Sequence, residues 1–155
     1  MDAYGMSYEE LFEYVKQFET GQRLDVLEYN YELIISELED LYKDKQIINE
    51  LLVKGLSTFM MANGQIENDD FYLLNEFMKA HFTNDHLISI IEKTDYNDTV
   101  SMFSELIANL GFKFLDRFVL MGMVLCSTDG NIAEKEFQLA DKYVSVLQND
   151  PNNFH

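Results

Sequence analysis

Two acidic residues flank a glycine turn in the stretch DGNIAEKE. Asp129 stands directly before Gly130, and Glu136 closes the stretch. Carboxylates in this arrangement are typical of the second half of a calcium-binding EF-hand loop. The first half of such a loop is missing, because the apolar Leu125 stands where the first ligand belongs. The sequence therefore argues against an EF-hand and leaves a simpler, oxygen-lined cation site open.

A similar pattern occurs earlier in the chain, in the stretch NGQIENDD. Both stretches place an Asx–Gly pair before an isoleucine and an acidic residue, which indicates an internal pseudo-repeat. If the two units pack around a pseudo-twofold axis, four oxygen-bearing side chains converge, and hard cations such as calcium or magnesium prefer such ligands. The candidate metal ligands are Asn63, Asp70, Asp129 and Glu136.

A purely architectural interpretation of these four residues also stays open. Asn63 and Asp129 would then accept hydrogen bonds from the amides of their own turns. Asp70 and Glu136 would lie in the first turns of the helices that follow, where the helix dipole favours a negative charge. A helix cap of this kind contributes about 0.5–2 kcal/mol, so selection for stability alone would suffice to explain the pattern.

Apolar residues recur at helical spacing along the chain, and no stretch alternates as a β-strand does. We therefore expect an all-α, single-domain bundle of about seven to eight helices. The run from 118 to 126 is apolar all round, which predicts that its helix is the buried central element. Gly21 and Gly111 are predicted helix ends. The predicted helices cover about 8–20, 24–43, 45–62, 68–82, 86–93, 99–110, 112–128 and 133–148.

The chain is strongly acidic, with 28 Asp and Glu residues against 11 Lys and Arg and a formal net charge of -17. Nucleic acid is excluded as a direct ligand, because phosphate binding needs a basic surface. We expect no membrane insertion, because no run of about 18 apolar residues occurs. The single cysteine, Cys126, lies in an apolar run and is expected to be buried, a pattern that suits the cytoplasm.

The remaining chemistry-bearing residues form no recognisable catalytic set. His81 and His86 bracket Asp85, but they lack a third ligand for zinc and are expected on the surface. No nucleophile motif and no phosphate-binding glycine loop occurs. We therefore expect no enzymatic activity, with a metal-dependent hydrolase that uses paired carboxylates as a minor alternative.

The doubled helix–(D/N)G-x-I-x-x-x-(E/D)–helix pattern resembles the TerB-like family of tellurite-resistance domains. The resemblance covers about residues 46–147, with Asn63 standing where the family's pattern has aspartate. It implies an all-helical cytoplasmic domain associated with chemical stress and defence. The domain organisation expected from it is an N-terminal helical extension over 1–45 packed on the domain, a TerB-like domain over 46–148 and a flexible tail over 149–155.

Two functional hypotheses follow from the sequence. The first is a non-enzymatic TerB-like domain that acts through protein–protein contacts, with a divalent cation at the paired turns. The alternative is an acidic decoy that occupies a basic protein surface. In both hypotheses the partner is a protein, with neither nucleic acid nor direct membrane insertion involved.

Overall fold

The structure is a computed structural model that describes residues 8–62 and 68–126, together with residues 138 and 142. Over these residues the chain forms seven α-helices and no β-strand, which confirms the predicted all-α class. The helices are α1 (Tyr8–Val15), α2 (Thr20–Leu38), α3 (Lys45–Ala62), α4 (Asn68–Met78), α5 (Asn84–Glu92), α6 (Tyr96–Leu110) and α7 (Phe112–Cys126).

Helix α7 is the central element of the described bundle, as its apolar run predicts. It packs against α1, α2, α3 and α6. Every residue from Phe118 to Leu125 is buried, Gly122 included, so this helix has no solvent face over that length. An α-helix that is apolar on every side is stable only when other helices cover it, and here four helices do so.

Two glycines allow the central helices to approach closely. A Cβ atom added to Gly122 of α7 would lie 2.6 Å from the ring of Phe59 on α3. One added to Gly55 of α3 would lie 2.2 Å from the ring of Phe103 on α6. Both distances are far below van der Waals contact, so these sites accept only glycine unless the aromatic ring moves. Phe118 of α7 completes the cluster, with its ring stacked on that of Phe103 at a centroid distance of 4.6 Å.

Helix α2 corrects the predicted bounds at both of its ends. Gly21 was expected to stop the first helix, but it lies inside the first turn of α2, which begins at Thr20. The backbone N–H of Glu19 donates to the side chain of Gln22 at 2.8 Å, so a local cap starts the helix four residues before the expected position. The helix ends at Leu38, whose carbonyl accepts from the N–H of Tyr42 in the turn that follows.

Helix α4 also ends earlier than predicted, at Met78 and not at Phe82. Lys79 adopts the left-handed conformation, with φ of 51°. The N–H of Ala80 donates to the carbonyl of Asn75 at 3.0 Å, and that of Lys79 donates to Glu76 at 3.3 Å. This pair of bonds is a Schellman motif, which ends a helix and usually uses glycine at the position that Lys79 occupies.

The other helix boundaries agree more closely with the sequence. Asp44 precedes α3 and accepts from the N–H of Gln46 at 2.9 Å, which caps the start of the helix. Gly111 ends α6 with φ of 88°, as expected of a glycine stop. Helix α6 begins at Tyr96, three residues before the expected start, because Asp95 caps it by accepting from the N–H of Asp98.

The predicted eighth helix over 133–148 lies outside the described residues except for Gln138 and Lys142. Both have helical backbone conformation. The ammonium group of Lys142 lies 5.7 Å from the centre of the Tyr96 ring, at the start of α6. The predicted tail over 149–155 and the side chain of Cys126 also lie outside the described part of the chain.

Candidate functional site

Three of the four predicted cation ligands lie outside the described residues. These are Asn63, Asp129 and Glu136, so their convergence stays a prediction. Asp70, the fourth, is described: it lies in the first turn of α4 and is only 6% exposed. A buried carboxylate in a first turn meets the positive end of the helix dipole, which favours its charged form.

A second buried carboxylate, which the sequence analysis did not single out, lies in α7. Asp116 is 3% exposed, with the buried Leu115 directly before it and the partly exposed Arg117 directly after it. Charged side chains are almost never fully buried unless they serve a specific interaction. Asp116 stands with Lys113 and Arg117 near the start of this helix, and the sequence does not show that Asp116 is the one of the three that is buried.

A buried hydrogen bond connects α2 with α3. The hydroxyl of Tyr31 donates to the side-chain oxygen of Asn49 at 2.6 Å, and the same hydroxyl lies 3.4 Å from the carbonyl of Met78. Burial raises the pKa of Tyr31 to about 12, with Glu39 adding a smaller increase and the Asn49 bond opposing it. Tyr31 therefore remains a neutral donor at any physiological pH.

Asn49 also lines a cleft of about 370 Å³ between the start of α3 and the α4–α5 loop. We call this the basic cleft, because two lysines and two histidines line it and no carboxylate is among its lining residues. The lining residues are Lys45, Gln46, Asn49, Lys79, Ala80, His81, Phe82 and His86.

The α4–α5 loop that forms one wall of the basic cleft is held in a defined conformation. The side-chain amide of Asn75 donates to the carbonyl of Phe82 and its oxygen accepts from the N–H of Phe82, both at 2.9 Å. The adjoining Thr83 caps α5 by accepting from the N–H of His86 at 3.1 Å. Lys79 and His81 are therefore presented from a loop that is braced at both ends.

His86 contacts both walls of the basic cleft. Its imidazole lies 3.4 Å from the carboxylate of Glu50 on α3 and packs edge-on against the ring of Phe82, at a centroid distance of 5.1 Å. His81 and His86 are both exposed, which confirms their predicted surface position. The sequence did not reveal that they line one cleft with Lys45 of α3 and Lys79 of the α4–α5 loop.

The described residues contain no group of three His, Cys, Asp or Glu side chains close enough together to hold a metal ion. Over the same residues, no helix combines the length and the apolar character needed to cross a bilayer.

Comparisons of the chain with protein-family models, with curated proteins and with solved structures found no match.

Proposed function

We propose that this chain is a cytoplasmic, non-enzymatic helical domain of the TerB-like kind, which acts through contacts with other proteins in a stress or defence response. A divalent cation, calcium or magnesium, is bound between the two acidic turns. Its ligands in this proposal are Asn63, Asp70, Asp129 and Glu136.

The packing of α3 against α7 is the observation that carries the proposal. These are the two helices from which the acidic turns continue in sequence. Phe59, shortly before the first turn, packs edge-on against Phe118 at a centroid distance of 5.4 Å and closely approaches Gly122. Contact between the two leading helices is what a site shared by both turns requires, because metal ligands must lie within about 2.5 Å of one ion.

The burial of Asp70 also supports a specific role for the acidic positions. A carboxylate that served only to make the surface soluble would be exposed, whereas Asp70 is buried at the start of α4. Buried carboxylates in proteins are paired, hydrogen-bonded or bound to a metal ion. Asp70 therefore suits a ligand position better than a solvation role.

The cation site is tested by titrating metal-free protein with calcium, magnesium, manganese and zinc while amide chemical shifts are followed at fixed ionic strength. We expect saturable shifts around residues 63–70 and 129–136. The double variant Asp129→Asn with Glu136→Gln should remove them and keep its helix content. The matched control is Asp25→Asn with Glu92→Gln, which makes the same charge change at two exposed positions. Unchanged cation binding in the first double variant would exclude this site.

The role in stress tolerance has a separate test. A bacterial host that expresses the chain should survive a higher tellurite concentration than the same host with an empty vector. The Asp129→Asn, Glu136→Gln variant should lose that advantage, whereas the Asp25→Asn, Glu92→Gln control should keep it. Equal survival with the chain and with the empty vector would contradict the stress role, whatever the cation titration shows.

The net charge of -17 favours a second candidate function, an acidic decoy that covers a basic protein surface. Attraction between opposite charges across an exposed interface weakens as salt screens it, with a Debye length of about 8 Å at physiological ionic strength. A decoy complex should therefore weaken steeply as salt is raised and should not depend on calcium or magnesium. A complex that is insensitive to salt would exclude this function.

A further inference from the structure

The basic cleft stands out from the charge pattern of the rest of the chain. Acidic residues outnumber basic ones by 28 to 11, yet the cleft is lined by two lysines, two histidines and no carboxylate. Lys45 comes from α3 and Lys79 from the α4–α5 loop, so tertiary packing brings them to the same cleft. Neither lysine forms an ion pair with any residue in the described ranges. Two lysines that line one cleft without ion-pair partners among the described residues favour an anionic ligand.

Asn49 adds a hydrogen-bond donor to the basic cleft, which favours a ligand with hydrogen-bond acceptors. It is 6% exposed and lines the basic cleft. Its side-chain oxygen is occupied by the hydroxyl of Tyr31, which leaves the amide Nδ2 with two N–H donors. No acceptor for this nitrogen is present among the described residues. This nitrogen is reached by solvent, so it can donate to an oxygen of a bound ligand.

We propose that the basic cleft binds the phosphate group of a small phosphate monoester. Lys45 and Lys79 neutralise the phosphate, while the amide of Asn49 donates to one of its oxygens. Lysine is a common phosphate ligand, and a phosphate dianion matches the two lysines better than a single carboxylate does. Carboxylates border the cleft without lining it: Glu50 lies 3.4 Å from the imidazole of His86, and Asp44 accepts from the backbone N–H of Gln46.

The dimensions of the cleft indicate an ester in place of free phosphate. Pockets that hold small organic ligands measure about 300–1,000 Å³, and the basic cleft, at about 370 Å³, falls in that range. Phe82 and Ala80 supply an apolar wall beside the lysines. This wall would contact the organic part of the ligand. The two hydrogen bonds between Asn75 and Phe82 keep the loop that carries the wall in place.

Phenyl phosphate is a suitable probe, and its binding can be followed by amide chemical shifts of the full chain at constant ionic strength. We expect saturable shifts at Lys45, Asn49 and the residues from 79 to 82. The Lys79→Asn variant removes the charge and keeps a residue that tolerates the left-handed conformation. Asn49→Asp keeps the acceptor for Tyr31 and replaces the donor. Each should weaken binding about tenfold, the equivalent of one charge-assisted hydrogen bond.

The control variant Lys113→Gln removes a positive charge from an exposed site on α7 and should leave the affinity unchanged. If Asn49→Asp does not fold, Lys45→Gln replaces it, because Lys45 is exposed. Three results would overturn the proposal: shifts that do not saturate, an equal loss of affinity in Lys113→Gln, or benzoate binding as tightly as phenyl phosphate. Binding of phosphatidate vesicles in place of the soluble ester would overturn the small-molecule assignment.

Discussion

Arg23 of α2 donates a hydrogen bond from Nη1 to the carbonyl oxygen of Val124, at 3.1 Å, near the end of α7. The same guanidinium donates from Nε to the carbonyl of Phe18 at 3.1 Å. Carbonyls in the last turn of a helix have no partner within the helix, and a positive charge there also interacts favourably with the helix dipole. Arg23 is 8% exposed, and this burial lowers the pKa of its guanidinium. It therefore joins the N-terminal helices to the central one through a buried charge.

Replacing Arg23 by Gln should lower the free energy of unfolding by about 2–3 kcal/mol, because the charge-assisted bonds to the carbonyls of Val124 and Phe18 are lost together. Arg23→Lys should recover only part of the loss, since an ammonium group lacks the planar fork of the guanidinium. Chemical denaturation measures both. Arg117→Gln is the control: it removes a partly exposed ion pair with Glu37 and should cost about 1 kcal/mol. Equal losses at Arg23 and Arg117 would contradict this role of Arg23.

Gly122→Ala should destabilise the protein by about 1–3 kcal/mol, because the added methyl group overlaps the ring of Phe59. Gly21→Ala is the matched control, since nothing lies within 4 Å of a Cβ at that position. It should stabilise the protein by up to about 1 kcal/mol through helix propensity alone. Thermal unfolding of the two variants should therefore shift in opposite directions. Replacing the ring of Phe59 by a smaller side chain, as in Phe59→Leu, should cost less stability in the Gly122→Ala background than in the wild-type protein.

Adding a side chain at Gly111 should lower the stability of the protein, whereas removing the side chain of Lys79 should raise it. Gly111 has φ of 88° and ψ of -167°, a region that only glycine adopts readily, so Gly111→Ala should cost about 1–3 kcal/mol. Lys79 occupies the left-handed region with a side chain, so Lys79→Gly should be stabilising by up to about 1 kcal/mol. Denaturation midpoints of the two variants test this. A stable Gly111→Ala protein would show that the α6–α7 junction relaxes.

Tyr31 should make stability depend on alkaline pH. Its pKa is raised to about 12 in the folded chain, above the ordinary value of about 10 that applies when it is unfolded. Its contribution is therefore fully present below about pH 10 and is lost as the pH rises towards 12. Tyr31→Phe should be less stable at neutral pH by about 1 kcal/mol, for the lost bond to Asn49. The stability difference between wild type and Tyr31→Phe should shrink between pH 10 and 12; a constant difference would contradict the raised pKa.

The helices, their approximate positions and the central place of α7 could be read from the sequence. Apolar spacing reports which face of a helix is buried, and an apolar run without a polar face leaves only a buried position. Helix ends were less predictable. Gly21 resembles a stop, yet the cap between Glu19 and Gln22 precedes it and starts a new helix. Lys79 ends α4 in the left-handed conformation that usually selects glycine. Because no glycine stands there, the sequence did not mark this helix end.

The basic cleft could not have been predicted, because its residues are unremarkable in their own segments. Lys45 is one of two lysines around the start of α3, and His81 and His86 lack a metal-ligand pattern. Only packing of α3 beside α5 brings them together with Lys79 around the amide of Asn49. The side-chain oxygen of Asn49 accepts from Tyr31, a residue of a third helix.

By itself the sequence determined the all-α class, most of the helices and the excess of negative charge, since these depend on local spacing and composition. Tertiary structure alone decided which polar residues are buried and which basic residues line the same cleft. The physical reason is that periodicity orients a side chain about its own helix axis, whereas contacts such as that between Arg23 and Val124 depend on how distant helices cross.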